Sequence, residues 1–228
     1  MGDEISERSE SRMGGEMDSS EVIIEKGEVV KGKLLRTYVG GEAVVKIYEH
    51  AVEKTRRVKR YRVIELDELL RKRRTRNEVR LMHLARKQGV ATPLILDVEG
   101  DTIVMERIAG KPVRECMSED VCREIGRSVA RMHNAGIVHG DVTPMNMILR
   151  DGRIYFVDFG LAFSDRDVEP KGVDVHVFFE SLKAYFEDWK RLKEAFIEGY
   201  LEVGSEEVIK RAEEIAERGR YVKRVSQV

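Results

Sequence analysis

The sequence predicts an α+β chain in two lobes, a small β-rich half followed by a helical half. Three observations carry that expectation. Strand-like runs and turn signals dominate residues 22–106, interrupted by one long helix. Helical spacing takes over from Ser118 onward. Between the halves' chemistry lies one dense motif region: His139-Gly-Asp-Val-Thr-Pro-Met-Asn146, then Val157-Asp-Phe-Gly160 after a hairpin's length of chain.

The elements follow in order. Residues 1–20 are rich in Ser, Glu and Gly and have too little apolar surface to offset ordering entropy, so a disordered tail is expected. Val22–Glu25, Val29–Arg36 and Glu42–Tyr48 read as a meander, with turns at Lys26-Gly27 and Gly40-Gly41. Residues 49–63 read as irregular and basic. A helix is expected from about Leu66 to Lys87, closed by Gly89 with Pro93 beyond. Leu94–Val98 and Thr102–Glu106 read as two short strands, and Gly110-Lys-Pro112 as a linker. Ser118-Glu-Asp-Val is an N-cap followed by first-turn acids, and Val121, Ile125, Val129 and Met132 then recur at helical spacing. Asp151-Gly152 between β-like residues is a hairpin signal. Residues 173–217 are expected to be helical, with a break near Gly204. The resulting division is a tail over 1–20, lobes over 21–107 and 108–217, and a basic tail over 218–228.

Composition narrows the class. The 228 residues suffice for one domain or two small lobes with a real core. Charged residues make up 36%, well above the usual quarter, an enrichment common among thermophile proteins. Net charge is −1, yet residues 53–90 carry 14 Lys/Arg against 5 Asp/Glu. Such a segment is either a solvated helix face or a contact for an anionic partner. Cys116 and Cys122 fit neither a metal half-site nor a disulfide framework, which suggests free thiols in a reducing, cytoplasmic setting. No apolar run approaches the ~18 residues of a membrane span. No signal-peptide core is evident.

The motif region points to phosphoryl transfer. Asp141 would sit on a tight loop between a helix and a strand, where an acid can orient a hydroxyl or water. Asn146 and Asp158 supply the hard oxygens that Mg²⁺ prefers. Lys46, on the apolar run Ala43-Val-Val-Lys-Ile-Tyr48, is the expected phosphate lysine, and Glu78 on the following helix its partner. In a kinase-like fold Met105, Glu106 and Ile108, where the β-rich half ends, would be the adenine hinge, and by pattern alone the segment is a buried strand. In such a hinge the backbones of Glu106 and Ile108 would meet the base, with Met105 packed behind it. Gly27-Glu-Val-Val-Lys-Gly32 is either a phosphate-covering loop or an ordinary hairpin turn. Asp174, within an apolar helix, is either a first-turn acid or bonded to the backbone of the motif loop. His139 is expected to brace that loop by hydrogen bonding.

The chain resembles the small atypical kinase/ATPase subunit of the KEOPS (EKC) complex, the PRPK-like family. The resemblance rests on Lys59-Arg-Tyr-Arg62 with Leu66-Asp67, and on Arg74-Thr-Arg-Asn-Glu78-Val-Arg. It continues through Ile103-Val-Met-Glu106, the His139–Ile148 block, Val157-Asp-Phe-Gly160 and Lys171-Gly-Val-Asp174. It implies a minimal two-lobed protein-kinase-like fold using ATP and Mg²⁺. Asp141 would then be the catalytic acid/base, Asn146 and Asp158 metal ligands, and Lys46 the phosphate lysine held by Glu78. It also implies assembly with a threonylcarbamoyltransferase subunit and a small regulatory subunit, in service of threonylcarbamoyladenosine formation on tRNA. The basic 54–62 stretch and the C-terminal tail would meet tRNA phosphates, a salt-dependent contact.

Departures from ordinary protein kinases are informative. The motif reads His-Gly-Asp rather than His-Arg-Asp, and Thr143 stands where a Lys is usual. Only 13 residues separate Gly160 from Asp174, with no Ala-Pro-Glu, which leaves little chain for a peptide platform. Water or a partner protein is therefore the expected acceptor, and autophosphorylation at Ser226 is conceivable. Three rival readings are a small-molecule kinase of the aminoglycoside or choline type, a RIO-type kinase, and an RNA-binding pseudokinase scaffold.

Overall fold

A computed structural model describes residues 23–25 and 28–225. The disordered tail expected over 1–20, the Lys26-Gly27 turn and Ser226 lie outside the described residues. Strands β1 (Ile23–Glu25) and β2 (Glu28–Val30) pair with each other as a separate hairpin. A five-stranded antiparallel sheet follows, built from β3 (Leu34–Val39), β4 (Ala43–Tyr48), β5 (Ala51–Arg56), β6 (Ile95–Glu99) and β7 (Thr102–Glu106). Its order is β3-β4-β5-β7-β6.

The strand β5 corrects the sequence reading, which left residues 49–63 irregular. Its charges disguise it. Val52, Lys54 and Arg56 alternate with Ala51, Glu53 and Thr55, so β5 has the period-2 pattern with charged side chains on the cleft face. The expected strand 29–36 is likewise split, ending one hairpin and beginning the sheet.

Helix α1 (Ile64–Lys87) crosses this sheet lobe. Leu81, Met82 and Ala85 give its second half an apolar stripe that is fully buried. Its first half is held by charge instead. Buried Asp67 accepts from Arg71 Nε at 2.7 Å and from the Lys59 backbone N–H at 3.3 Å. That contact fastens the basic 57–63 segment to the helix.

The second lobe begins with β8 (Lys111–Pro112), so the expected linker is partly a strand. Helix α2 (Glu119–Asn134) starts as the sequence suggests, with the Ser118 hydroxyl accepting from the Val121 N–H at 3.2 Å. Strand β9 (Ile137–Val138) leads into the motif loop, and a 3-10 turn spans Pro144–Asn146. Strands β10 (Met147–Arg150) and β11 (Arg153–Phe156) form the expected hairpin. Asp151 and Gly152 both have positive φ, 51° and 72°, as a two-residue hairpin turn requires. Strand β12 (Phe163–Ser164) returns to pair with β9.

Three helices complete the lobe: α3 (Val168–Tyr185), α4 (Trp189–Leu201) and α5 (Glu206–Val225). The chain thus breaks near residue 187 as well as near Gly204. Helices α2 and α4 approach closely because Gly126 and Gly199 face the partner backbone. A Cβ at either would collide with the opposite main chain. One core of buried residues runs from Leu81, Met82 and Met105 of the sheet lobe to Ile125, Phe178 and Phe196 of the helical lobe.

Candidate active site

The site lies in the cleft between the sheet and the motif loop. Lys54 sits at its centre. The Lys54 ammonium is 2.7 Å from Glu78 Oε1 on α1 and 2.7 Å from Asp158 Oδ1 on the other lobe. Burial would lower the Lys54 pKa, but the two carboxylates outweigh it and push the group above the ordinary lysine value. Partial burial would likewise raise Asp158. The Lys54 charge and the Gly160 N–H, 2.8 Å away, prevail and hold it below the usual carboxylate range. Both groups stay ionised at neutral pH.

Lys46, expected in this role, is elsewhere. In the β4–β5 ladder Lys46 is opposite Glu53, while Val45 is opposite Lys54. Neighbouring residues of a strand point to opposite faces. Val45, Ile47, Val52 and Lys54 therefore line the cleft, and Lys46 projects from the far side. There its ammonium lies 2.9 Å from Glu53 Oε1 and is 42% exposed. The expected Lys46–Glu78 pair does not form, and Glu78 instead meets Lys54. The missed signal was the alternation in Ala-Val-Glu-Lys-Thr-Arg, one strand after the glycine turn.

The glycine turn beside the cleft is Gly40-Gly41, formed where the sequence places a turn, and not the Gly27–Gly32 segment. Gly40 and Gly41, between β3 and β4, line the cleft beside Lys54 and Asp158. The turn is pinned by basic side chains: Arg57 Nη1 donates to the Gly40 carbonyl and Lys59 Nζ to the Gly41 carbonyl, each at 2.9 Å. Gly27 lies outside the described residues, and Gly32 lies between β2 and β3.

Across the cleft, Asn146 Nδ2 donates to Asp141 Oδ2 at 2.8 Å and to the Asp141 carbonyl at 3.0 Å. These bonds fix the amide's orientation, with its nitrogen toward Asp141 and its oxygen uncommitted to that contact. The loop bearing Asp141 is gripped from below by Asp174. Its carboxylate accepts from the His139 N–H at 2.6 Å and the Gly140 N–H at 2.7 Å. The third partner is His133 Nε2, at 3.3 Å. Asp174 is therefore a loop anchor inside α3, one of the two alternatives the sequence left open.

His139 differs from expectation. Its ring nitrogens have no hydrogen-bond partner among the described residues, and its imidazole packs on Phe156 and Phe159. It braces the loop through its backbone N–H and by packing. Gly140 is required by geometry. It has φ +79°, and a Cβ there would come within 2.5 Å of the Leu161 carbonyl oxygen.

A larger part of the cleft, about 860 Å³, extends to Met105, Glu106 and Ile108. Val45, Ile47, Val52, Ile148 and Val157 give it apolar walls suited to a flat ring. Met105 is buried. The Glu106 N–H donates to the Leu94 carbonyl at 2.8 Å, so a base meeting this residue would use its carbonyl. The Glu106 carboxylate is occupied by the Leu94 N–H and Arg150, each at 3.1 Å.

Comparison with known proteins places this geometry in a family. The RIO domain model matches residues 26–171. A probable serine/threonine-protein kinase BUD32 homolog of Archaeoglobus fulgidus is 66% identical over 193 residues, covering 84% of this chain and 99% of that one. The chain belongs to the Bud32 family. Another relative, the KEOPS complex subunit Bud32 of Pyrococcus abyssi, is 41% identical, with 85% of its length covered. A probable bifunctional tRNA threonylcarbamoyladenosine biosynthesis protein of Methanoculleus marisnigri is 46% identical over 95% of this chain, which spans 42% of that longer protein. Among solved structures, a Rio2 kinase from Chaetomium thermophilum superposes with TM-score 0.56 at 18% identity, over 82% of this chain and 70% of that one. That likeness concerns the fold, which is protein-kinase-like with a β-sheet lobe and a helical lobe. As a Bud32-family member the chain is an enzyme of the ATP-dependent phosphotransferase/ATPase class. Among the described residues, no helix is long and apolar enough to cross a membrane.

Proposed function

We propose that this chain is a Mg–ATP-dependent atypical Ser/Thr kinase/ATPase of a KEOPS-type complex, acting in the cytoplasm in support of threonylcarbamoyladenosine formation on tRNA. The observation that carries the chemistry is the bridge Glu78–Lys54–Asp158, which joins the two lobes across a cleft sized for a nucleotide. In this reading Lys54 meets the phosphate oxygens and Glu78 keeps it in place. Asp141 orients the attacking hydroxyl or water and takes its proton. The Glu106 carbonyl and the Ile108 backbone meet the adenine, with Met105 behind it.

The metal fits the residues present. Asp158 offers a half-exposed carboxylate held ionised, and Asn146 an amide whose nitrogen is already committed to Asp141. Two hard oxygens suit Mg²⁺, which keeps waters and phosphate oxygens in its remaining positions. When bound, the ion neutralises charge on the phosphates.

The acceptor side of the cleft supports water or a partner protein over a free peptide. Helix α3 begins at Val168, only eight residues after Gly160, so no peptide platform is built from this segment. The relatives named for KEOPS and for threonylcarbamoyladenosine synthesis support association with the complex's threonylcarbamoyltransferase and a small regulatory subunit. The basic 54–62 stretch supports tRNA contact only in part, because Lys54, Arg57 and Lys59 are engaged within the lobe. Arg62 is likewise paired, with Asp67 at 3.6 Å, so exposed Arg60 is the better candidate there. Beyond Arg218, the tail's side chains lie outside the described residues.

The test is ATP turnover by the purified chain, alone and with its partner subunits and tRNA. Turnover that requires Mg²⁺ and rises with the partners is expected. Stoichiometric phosphorylation of an aminoglycoside or choline would favour a small-molecule kinase instead.

A further inference from the structure

We propose that Arg56 is a positioning residue for nucleotide binding. It holds Glu78 so that the other carboxylate oxygen is already presented to Lys54 before nucleotide arrives. The inference rests on the phosphoryl-transfer reading above and extends it to a residue outside the expected set.

Arg56 and Lys54 are two residues apart on β5 and so project from the same face of the sheet. Both reach one carboxylate. Arg56 Nη2 lies 2.5 Å from Glu78 Oε2, and Lys54 Nζ lies 2.7 Å from Glu78 Oε1. Arg56 is 6% exposed and Glu78 1%. A carboxylate with both oxygens taken in this way has little freedom to rotate or withdraw.

Charge balance points the same way. Lys54 and Arg56 offset Glu78 and Asp158, leaving this cluster, buried but for the half-exposed Asp158, neutral. Without Arg56 it would carry one net negative charge, in a cleft that has to admit a triphosphate. Without Arg56, Lys54 would still hold Glu78 Oε1, but Oε2 would be buried with no partner, which is disfavoured. Glu78 would then gain by swinging toward water and releasing Lys54.

The rest of α1 is fastened to match. Asn77 Nδ2 donates to the Ala162 carbonyl at 3.1 Å, and Arg80 Nη2 contacts Ser164 Oγ at 3.0 Å. Both tie the helix to the short segment after Gly160. Arg56 from the sheet and these two contacts from the other lobe hold Glu78 in place without a long switchable loop. The site is assembled by construction.

The consequence is measurable as a split between KM and kcat. When only a fraction of molecules is competent, the apparent dissociation constant is the intrinsic one divided by that fraction, while saturating ligand restores the competent state. Arg56→Met in the full chain is expected to raise KM for Mg–ATP about tenfold. Its kcat should stay within about twofold of wild type, because Arg56 touches no reacting atom. Arg56→Lys should fall between, since a single ammonium grips less firmly than a guanidinium fork.

Steady-state turnover, with Mg–ATP binding by calorimetry and thermal unfolding alongside, decides. A folded Arg56→Met protein with wild-type KM, or with a reduced kcat at unchanged KM, overturns the proposal. Should Arg56→Met fail to fold, Arg56→Lys carries the test, and a wild-type KM there overturns it. Absence of Mg–ATP turnover in the wild-type chain would instead overturn the phosphoryl-transfer reading itself.

Discussion

At the scale of single residues, the site depends on which lysine faces the cleft. Lys46 and Lys54 are both on strands of one sheet, and both are paired with a glutamate. Strand parity separates them. Lys54→Met is expected to reduce ATP turnover by about 10²–10³, the scale for removing one preorganised electrostatic contact to a transition state. Lys46→Met should leave turnover within about twofold of wild type, since it breaks only a part-buried pair on the face away from the cleft, where Lys31 still meets Glu53. Steady-state assay of the two variants together checks this, and the reverse ranking would reinstate Lys46. Asp174 and Gly140 belong to the same scale. Replacing Gly140 with Arg, the residue usual in protein kinases, would demand positive φ of a bulky residue and drive its Cβ into Leu161. The His-Gly-Asp sequence is thus a backbone requirement of this loop.

At the scale of elements, the α2–α4 contact is the most sensitive to volume. Gly126 and Gly199 let the two backbones meet, and salt bridges from Arg123 to Glu198 and Arg127 to Glu202 flank the contact. Gly199→Leu should cost about 1–3 kcal/mol through overpacking. That appears as a fall of several degrees in Tm, with ATP affinity per folded molecule unchanged. What was legible in the sequence also sorts by element. Helices α1 and α2 and the β10–β11 hairpin announced themselves through periodicity, a Ser cap and an Asp-Gly turn. That Asp141, Asn146 and Asp158 come to one cleft was legible because a short loop and one hairpin join them. Strand β5 was not, because its cleft face carries Lys54 and Arg56 where a strand usually shows apolar residues. Missing β5 shifted the proposed phosphate lysine by one strand and left the Gly40-Gly41 turn, read only as a turn, without its place beside the cleft. The Asp174 anchor joins residues 34 and 35 positions apart, a pairing that local pattern leaves open and only the fold decides.

At the scale of the whole molecule, two buried histidines couple folding to pH. Burial pushes both His133 and His139 below the ordinary histidine value, partly opposed by Asp174 in each case. The unfolded chain takes up protons at these positions near pH 6.5, whereas the folded chain holds both rings neutral to lower pH. Their contribution to stability is therefore full above about pH 6.5 and is lost as pH falls through the folded values. Urea unfolding at pH 8, 6.5 and 5 should show a nearly flat upper range and a marked drop below. A His139→Phe chain should lose part of that drop.

The central claim is that Lys54, Asp141, Asn146 and Asp158 form one Mg–ATP phosphoryl-transfer site across the two lobes. The most direct measurement is Mg²⁺-dependent ATP turnover by the wild-type chain beside Asp141→Ala and Asp158→Ala, with circular dichroism and thermal unfolding of each. Turnover by wild type and its loss in both variants, with the fold retained, is the expected result. Wild-type turnover persisting in both folded variants would contradict it.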